Sequence, residues 1–380
     1  MSVDGAWRGV RELVVRIDGS GDSVAALAYP DLVGDPAVGD RAVLNVAALE
    51  RGLGTGGFAL VVALPDHLPA DPPSMPGHLV KARYTPMQTM VLGVDEQESE
   101  HYAALLDADD LLGMPCVVAD LHSALPAIIA GLRHAARREG LDPLRVAYVM
   151  TDGGALPAWF SRTVAALREA GWLQTCITVG QAFGGDLEAV NVHTGLLAAR
   201  HVAAADVAIV TQGPGNLGTG TRWGFSGVAA GEAINAVSAL RGRPIAALRI
   251  SGADERSRHH GLSHHSLTAY GRVALTRADV VVPDLSASPD PALAALGNQV
   301  DLQVTALGGH GRGHQLVRVP ITDLYDALTT SPVELSTMGR GLAQDPAAFL
   351  ASAAAGVHAA AVQRENSGRA PLPVRTRDTR

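Results

Sequence analysis

From residue 84 onward, short apolar runs alternate with longer amphipathic stretches, and this alternation constrains the fold more than any other feature of the chain. The runs PCVVADL, RVAYVM and ADVAIVT are almost uniformly apolar, as are strands buried on both faces of a parallel sheet. Between them, stretches such as SALPAIIAGLRHAARREG space apolar residues three and four apart and end at glycine, which is typical of a helix. The pattern predicts an α/β fold: a mostly parallel sheet with helices on both faces.

The first 80 residues follow a different pattern. Short apolar stretches such as RELVVRID and FALVVAL are separated by the turn-forming segments GSGDS and GLGTGG. The proline-rich segment 64–77 then interrupts both helix and strand. We therefore expect a small β-rich domain, a barrel or a sandwich, over residues 1–80, and an α/β domain over 81–364. The polar segment 365–380 is predicted to be a disordered tail.

Charge and composition exclude several classes of partner. The formal net charge of −8 argues against non-specific nucleic-acid binding, which needs a clustered positive field. The N-terminus lacks the pattern of a signal peptide, and no apolar run reaches the roughly 18 residues that span a bilayer. Cys116 and Cys176 lie in apolar runs, as buried reduced thiols do. We expect a cytoplasmic protein with no nucleic-acid and no membrane partner.

Candidate ligand-binding residues follow the predicted strand ADVAIVT. In an open parallel sheet, ligands bind beyond the carboxyl ends of the strands. The glycine-rich segment QGPGNLGTGT lies there, and its glycines allow a tight turn and close approach of a ligand to the backbone. Its spacing matches neither the dinucleotide fingerprint nor the phosphate loop, so an ordinary turn remains an alternative. The candidate ligand contacts are Gln212, Gly213, Gly215, Asn216, Gly218 and Thr219.

Acidic residues occupy the same position after two other strands. Asp152 follows RVAYVM and is a candidate general base or metal ligand, or the cap of the helix that begins near Pro157. Asp120 and His122 follow PCVV, and as residues two apart in a strand they would face one side. For both acids, a capping role is the alternative.

The segment RSRHHGLSHHS, residues 256–266, has three open interpretations. First, His260 and His264 lie four apart and would share a helix face as metal ligands do, although Gly261 weakens such a helix. Second, Arg256 and Arg258 would hold an anion. In that case His264 or His265 serves as acid or base. Third, the segment is a polar loop or a contact in a homo-oligomer.

Other catalytic classes find no support in the sequence. A Ser-His-Asp triad of the hydrolase type is not indicated, since no G-x-S-x-G elbow exists. Cysteine nucleophiles are disfavoured because both thiols lie inside predicted strands. The segment GGHGRGH, residues 308–314, suits a flexible hairpin tip as well as a site.

The motifs GDRAVLN, GLGTGGFALV, ISGADERSRHHGLSHHSLTAYG and STMGRGLAQDPAAF resemble an uncharacterised bacterial family that carries a domain-of-unknown-function label. This resemblance covers nearly the whole chain, and its histidine-rich motif is specific. It implies no reaction.

A more remote resemblance connects KARYTPMQTMVLGVDEQESEHY, AIVTQGPGNLGT and RADVVVP, in order, with the proprotein subunits of glycine and D-proline reductases. Those subunits are cleaved at an internal cysteine to form a pyruvoyl group. The corresponding stretch here, residues 179–188, contains neither Cys nor Ser, so a pyruvoyl role is disfavoured. The resemblance implies a shared fold and site region only.

Three functions follow from these observations. The first is an enzyme acting on a small anionic metabolite, with Asp152, the glycine-rich loop and the histidine segment around one pocket. The second is a non-catalytic ligand-binding or regulatory protein with the same pocket. The third is a metal-dependent hydrolase that uses Asp120, His122 and His260 or His264. The sequence specifies no cofactor.

Overall fold

The computed structural model describes residues 2–71, 74–308 and 313–368. Its first strands and helices are β1 (Ser2–Trp7), β2 (Val10–Arg16), β3 (Ser23–Ala28), α1 (Pro30–Val33), β4 (Val43–Asn45), α2 (Ala47–Glu50) and β5 (Ala59–Ala63). The strands form one sheet in the order β1-β2-β3-β5-β4, in which only the β3–β5 pair is parallel.

Both faces of this small sheet are covered. Alternation along the strands places Leu13 on one face, where it packs with Val33 of α1. Leu27 points to the other face, which Trp159 and Phe160 of the following α/β region cover. The β-rich character predicted for the start of the chain is confirmed.

The rest of the chain is built from shorter hairpins and a long series of strands and helices. In chain order these are β6 (Leu79–Lys81), β7 (Thr89–Val91), α3 (Tyr102–Leu105), β8 (Pro115–Val118), α4 (Leu125–Arg138), β9 (Val146–Thr151), α5 (Arg162–Glu169), β10 (Thr175–Thr178), β11 (Leu187–Glu188), α6 (Val192–His201), β12 (Val207–Gln212), α7 (Ala229–Ala239), β13 (Arg243–Ala247), β14 (Ile250–Ser251), β15 (Gly261–Leu262), α8 (His264–Thr268), β16 (Asp279–Pro283), α9 (Pro291–Gly308), β17 (Gln315–Val319), α10 (Leu324–Thr329), β18 (Ser336–Thr337), β19 (Arg340–Gly341) and α11 (Pro346–Ser367).

The central sheet has eight strands in the order β11-β10-β9-β12-β8-β13-β16-β17. Every neighbouring pair is parallel. The strands are almost wholly buried, which agrees with their uniformly apolar sequences. The predicted α/β class, with a mostly parallel sheet, is confirmed.

The strand order creates a switch point between β8 and β13. The chain leaves β8 toward β9 on one side, whereas it leaves β13 toward β16 on the other. Because the two connections diverge, a crevice remains beyond the carboxyl ends of these neighbouring strands, and such crevices are where open parallel sheets bind ligands.

The last helix, α11, is a core element that packs along α4. A side chain at Gly131 of α4 would meet the carbonyl oxygen of Ala353, and one at Gly356 of α11 would meet that of Ile128, so both glycines are needed for the close approach. By length and composition α11 is the one described helix that could cross a membrane, but 67% of its apolar window is buried inside the molecule. Such burial is typical of the core helix of a soluble protein.

Two further expectations concern the thiols and the tail. Cys116 and Cys176 are buried free thiols. Helix α11 extends through Ser367, past the start of the predicted tail, and residues 369–380 of that tail lie outside the described residues.

Candidate functional site

The carboxylate of Asp120 and the guanidinium of Arg249 lie at the switch point, one after each of its two strands. Asp120, two residues beyond the end of β8, is 5% exposed. Arg249, two residues beyond β13, places Nη1 3.6 Å from Asp120 Oδ2. His265 Nδ1 lies 3.1 Å from the same carboxylate oxygen and 3.0 Å from Arg249 Nη1. Because the Asp120 carboxylate accepts and the Arg249 guanidinium donates, Nδ1 of His265 bonds to Asp120 in the tautomer that carries a proton on Nδ1 and to Arg249 in the other tautomer.

Three histidines meet beside this acid. We name His259, His264 and His265 the histidine cluster. Their ring centroids are 4.5 to 4.9 Å apart. One ring nitrogen of each lies within 4.8 Å of one ring nitrogen of the other two. His259 and His265 are buried, and His264 is half-buried.

Local structure fixes the orientation of the cluster. The hydroxyl of Ser263 accepts a hydrogen bond from the backbone N–H of His265 and thereby caps the first turn of α8. The same hydroxyl lies 2.8 Å from Nδ1 of His259. By contrast, Nε2 of His264 is buried and has no hydrogen-bond partner among the described residues. This buried nitrogen of His264 is therefore unpaired within the described part of the chain.

Two of the three imidazoles in the cluster, those of His259 and His264, are uncharged at neutral pH. Burial, with the neighbouring charge of Arg249, lowers the pKa of His259 to about 3. Burial, together with the proximity of His265 and Arg258, lowers the pKa of His264 to about 4. For Asp120, burial alone would raise the pKa, but the hydrogen bond from His265 and the charge of Arg249 outweigh it and lower the pKa. The site thus combines the ionised carboxylate of Asp120 with the neutral imidazoles of His259 and His264.

The glycine-rich loop after β12 contacts Asp120 through its first residue, and Phe225, which follows the loop, contacts the histidine cluster. Gln212 donates from Nε2 to the backbone oxygen of Asp120 at 2.9 Å and to Oδ1 of Asn216 at 3.0 Å. At the far end, the ring of Phe225 stacks on His265 with centroids 3.7 Å apart and planes 5° apart. The loop and the histidine segment, which the sequence places at one edge, are brought together here.

The middle of this loop forms an exposed hairpin rather than an anion-binding helix entry. The backbone amide of Thr219 donates to Gly224, and Gly218 pairs with Phe225. Gly215 is exposed and has a φ of 87°, a conformation that favours glycine. The amide of Gly213 donates to the carbonyl of Thr151. The hairpin and strand contacts thus engage the amides of Gly213 and Thr219.

The two arginines of the histidine segment have different roles. Arg256 donates from Nε and Nη2 to both carboxylate oxygens of Asp254, at 2.8 and 2.7 Å. Arg340 donates to the same carboxylate, so Arg256 belongs to a structural ion-pair network. Arg258 is exposed, packs against Gly220 of the glycine-rich loop, and has no ion-pair partner among the described residues. Arg258 is therefore the cation that remains available to a ligand.

His260 does not join the cluster, and the expected i, i+4 pair with His264 is not formed. The 3₁₀ turn that begins at Ser257 ends at His259. Gly261 then adopts a φ of 73°, and α8 begins only at His264. A common helix face is impossible with this backbone. His259, which the sequence analysis passed over, takes the position expected for His260.

Asp152 lies apart from these groups. Its Oδ2 accepts a hydrogen bond from the backbone amide of Gln181 at 2.8 Å. It thus fixes the turn after β10 rather than capping a helix near Pro157. In the described part of the chain, no hydrogen bond or ion pair joins Asp152 to the histidine cluster. The structure supplies no contact that would make it a base for chemistry there.

Asp120 and His122 diverge, contrary to the strand-based expectation. His122 lies in a 3₁₀ turn after β8 ends at Val118, so strand alternation no longer applies. Its ring nitrogens lie 2.9 Å from the hydroxyl of Tyr148 and 2.7 Å from that of Ser161. His122 is therefore a structural residue.

The second glycine-histidine segment is structural in its described part. Nδ1 of His314 accepts from the backbone amide of Ala278, and Nε2 donates to the carbonyl of Tyr270. Residues 309–312 of this segment lie outside the described residues.

Comparison with known proteins gives a family but no reaction. The family model described as "Protein of unknown function (DUF3866)" matches residues 25–356. No curated protein and no solved structure matches the chain significantly. The resemblance to a family of unknown function is thus confirmed, and the resemblance to the reductase proproteins is not.

Proposed function

The chain belongs to the family described as protein of unknown function DUF3866, and since that description carries no reaction, we propose a function from the geometry of the site. The protein is an enzyme that acts on a small anionic metabolite at the carboxyl edge of its parallel sheet. The histidine cluster is its chemical centre, and Arg258 is its anion-binding group.

One observation carries this proposal: three imidazoles, two of them held neutral by burial, converge at the switch point beside a buried carboxylate. Burial lowers the pKa values of His259 and His264 to about 3 and about 4, so both rings keep a lone pair at neutral pH. Burying and converging such groups costs free energy that a purely structural role does not require. A general base or a metal ligand needs those lone pairs.

The charges around the cluster favour an anion. Arg258 lies on the exposed side, against Gly220, and lowers the pKa of His264 after the effects of burial and His265. Arg249 and Asp120 also line a small cavity of about 30 Å³, together with Ser123. The proposal includes a cytoplasmic location, where the free thiols stay reduced.

A two-stage experiment tests the function. Carboxylates and phosphates of metabolite size are screened by thermal shift, and each hit is then incubated with the protein and analysed for product by mass. We expect a hit at about 100 times its Kd to stabilise the fold by roughly 2.7 kcal/mol, and we expect product to form.

The same experiment separates the alternatives. Binding without product over long incubation would identify a non-catalytic ligand-binding protein. Absence of any anionic hit would contradict the proposal as a whole. His264→Gln is expected to abolish turnover, and His193→Gln, a change of an exposed histidine on α6, serves as its control.

A further inference from the structure

We propose that the histidine cluster binds one divalent transition-metal ion, with zinc as the best chemical fit, through His259, His264 and His265. This inference deepens the proposed function and rests on the same site. It assigns the lone pairs of the cluster to a metal instead of to direct proton transfer.

The donor set selects the class of metal. Three imidazoles are offered within 4.8 Å of one another. Imidazole suits zinc, copper, nickel and iron, whereas magnesium and calcium require oxygen ligands. Asp120 is engaged by Nδ1 of His265, which leaves the three rings as the ligands.

The second layer of contacts has the form found around zinc-bound histidines. A metal-bound histidine usually donates its other ring N–H to a carboxylate, a backbone carbonyl or a water molecule, which fixes the ring and its tautomer. In the tautomer in which His265 donates from Nδ1 to Asp120, its Nε2 is free to coordinate. Nδ1 of His259 lies 2.8 Å from the hydroxyl of Ser263, which can accept its proton in the same way. Arg249 pairs with Asp120 and holds the carboxylate in place.

The ring of His264 supports the metal site independently of the donor set and its neighbouring contacts. Its Nε2 is buried and has no hydrogen-bond partner among the described residues. A buried nitrogen without a partner is costly to a fold, and such exceptions call for an explanation such as an ion. A metal ion at the centre of the cluster satisfies this atom.

The spacing is compatible with coordination after small ring rotations. Nitrogen ligands at about 2.0–2.1 Å from a tetrahedral metal lie about 3.3 Å from each other. The nitrogens here lie within 4.8 Å, so rotation of the rings about their side-chain torsions closes the remaining gap. The stacked ring of Phe225 restricts His265, so His259 and His264 supply most of that rotation.

Three protein ligands leave one position open, which is the arrangement of catalytic rather than structural zinc sites. Asp120 is the nearby carboxylate, whereas Arg249 and Arg258 add positive charge that opposes the metal. An anion bound at the open position would offset this repulsion. We therefore expect metal and anion to bind cooperatively.

The test measures metal on the protein without any turnover assay. The full chain is treated with chelator and titrated with Zn²⁺ against a chromophoric chelator, and metal content is determined by elemental analysis. Titration with Co²⁺ is expected to give the strong visible absorption of a tetrahedral nitrogen site. We expect one metal per chain in both experiments.

Variants locate the metal. His259→Gln, His264→Gln and His265→Gln are each expected to weaken zinc affinity by roughly 100-fold or more, and Asp120→Asn by about 10- to 100-fold. His193→Gln is the matched control and should bind as the unmodified chain does. Circular dichroism and thermal unfolding of each variant establish that it is folded. The cobalt spectrum is measured on the unmodified chain, so it tests the metal site even where a variant does not fold.

Failure of this inference is distinguishable from failure of the proposed function. Less than one zinc per chain at micromolar concentration, or no tetrahedral cobalt spectrum, overturns the metal site and leaves a metal-free enzyme open to the turnover assay. Equal losses of zinc affinity in His193→Gln and His264→Gln also overturn the metal site. A bound metal without product from any anionic hit supports the metal site and contradicts the enzyme.

Discussion

His122 and the histidine cluster both lie beyond the ends of the strands at the switch point, and they use the imidazole ring in opposite ways. His122 has a hydroxyl partner at each ring nitrogen, from Tyr148 and Ser161. In the histidine cluster, Nε2 of His264 has no partner in the described part of the chain. Burial lowers the pKa of both residues to about 4, so the shift alone does not separate them.

The difference teaches that hydrogen-bond satisfaction is more informative than burial or pKa. A ring with both nitrogens paired is a packing element, and its lone pair is already used. His264 is neutral and has an unpaired nitrogen among the described residues, and its neighbour His265 is hydrogen-bonded to Asp120. Such a ring keeps a lone pair for chemistry. The following predictions test whether the two groups differ in this way.

The largest effect is expected from His264→Gln on turnover of the anionic substrate. Loss of a positioned histidine removes about 10²–10⁴-fold of rate. Because Nε2 of His264 bonds nothing among the described residues, the free energy of unfolding of the metal-free protein should change by less than about 1 kcal/mol. Rate assays and urea unfolding of the same preparation check both parts. A variant that loses stability in proportion to activity would contradict the distinction.

His122→Ala should give the opposite result. Removing the ring leaves a void beside the buried strand β8 and deprives Ser161 and Tyr148 of a partner. We expect the free energy of unfolding to fall by about 2–4 kcal/mol, with zinc affinity unchanged. Urea unfolding and zinc titration measure the two quantities. Loss of zinc binding in a folded His122→Ala protein would show that the two groups are not independent.

The pH dependence of stability tests the burial of His122. Burial lowers the pKa of His122 to about 4 in the folded protein, whereas the unfolded value is about 6.5. The unfolded chain thus binds more protons between these values, so stability is complete above pH 6.5 and decreases as pH falls toward 4. The free energy of unfolding lost through His122 over this range is about 3 kcal/mol, since its pKa differs between the two states by about 2.5 units.

His122→Gln tests this contribution because glutamine does not titrate in that range and can still bond to hydroxyls. Its free energy of unfolding should therefore decrease less steeply between pH 6.5 and 4 than that of the unmodified chain. His193→Gln, at an exposed site, should leave the slope unchanged. Identical slopes for the His122→Gln protein and the unmodified chain would contradict the assignment.

The fold and the location of the site could be predicted from sequence because both depend on local patterns. The run PCVV corresponds to β8 (Pro115–Val118), and VAIVTQ to β12 (Val207–Gln212). Apolar strands that alternate with helices specify a parallel sheet, and the carboxyl-edge rule then brings Gln212 and the histidine segment together. These inferences need no knowledge of tertiary contacts.

The membership of the cluster could not be predicted, because it depends on backbone details and distant partners. A left-handed conformation at Gly261 breaks the helix that spacing suggested, and it exchanges His260 for His259. Asp120 reaches His265 across 145 positions of sequence, which no local pattern reveals. The pairing of Arg256 with Asp254 did have a local signal, since the two residues are only two positions apart.

The smallest effect is expected from substitution of the two arginines. They differ as His122 and His264 do, because one is paired inside the protein and the other is not. Arg256 has its donors paired with Asp254, whereas exposed Arg258 has no ion-pair partner among the described residues. Arg258→Gln should weaken the anionic ligand about 3- to 10-fold, less at high salt, since an exposed charge contributes little and is screened.

Arg256→Gln should leave anion affinity unchanged, because its charge is already used inside the protein. Arg138→Gln is the charge-matched control: Arg138 is exposed at the end of α4, roughly 20 Å along that helix from its start beside the site. Titration of the anionic hit at low and high salt measures all three variants. An equal loss of anion affinity in Arg256→Gln and Arg258→Gln would mean that net charge, and not an unpaired group at the switch point, attracts the anion.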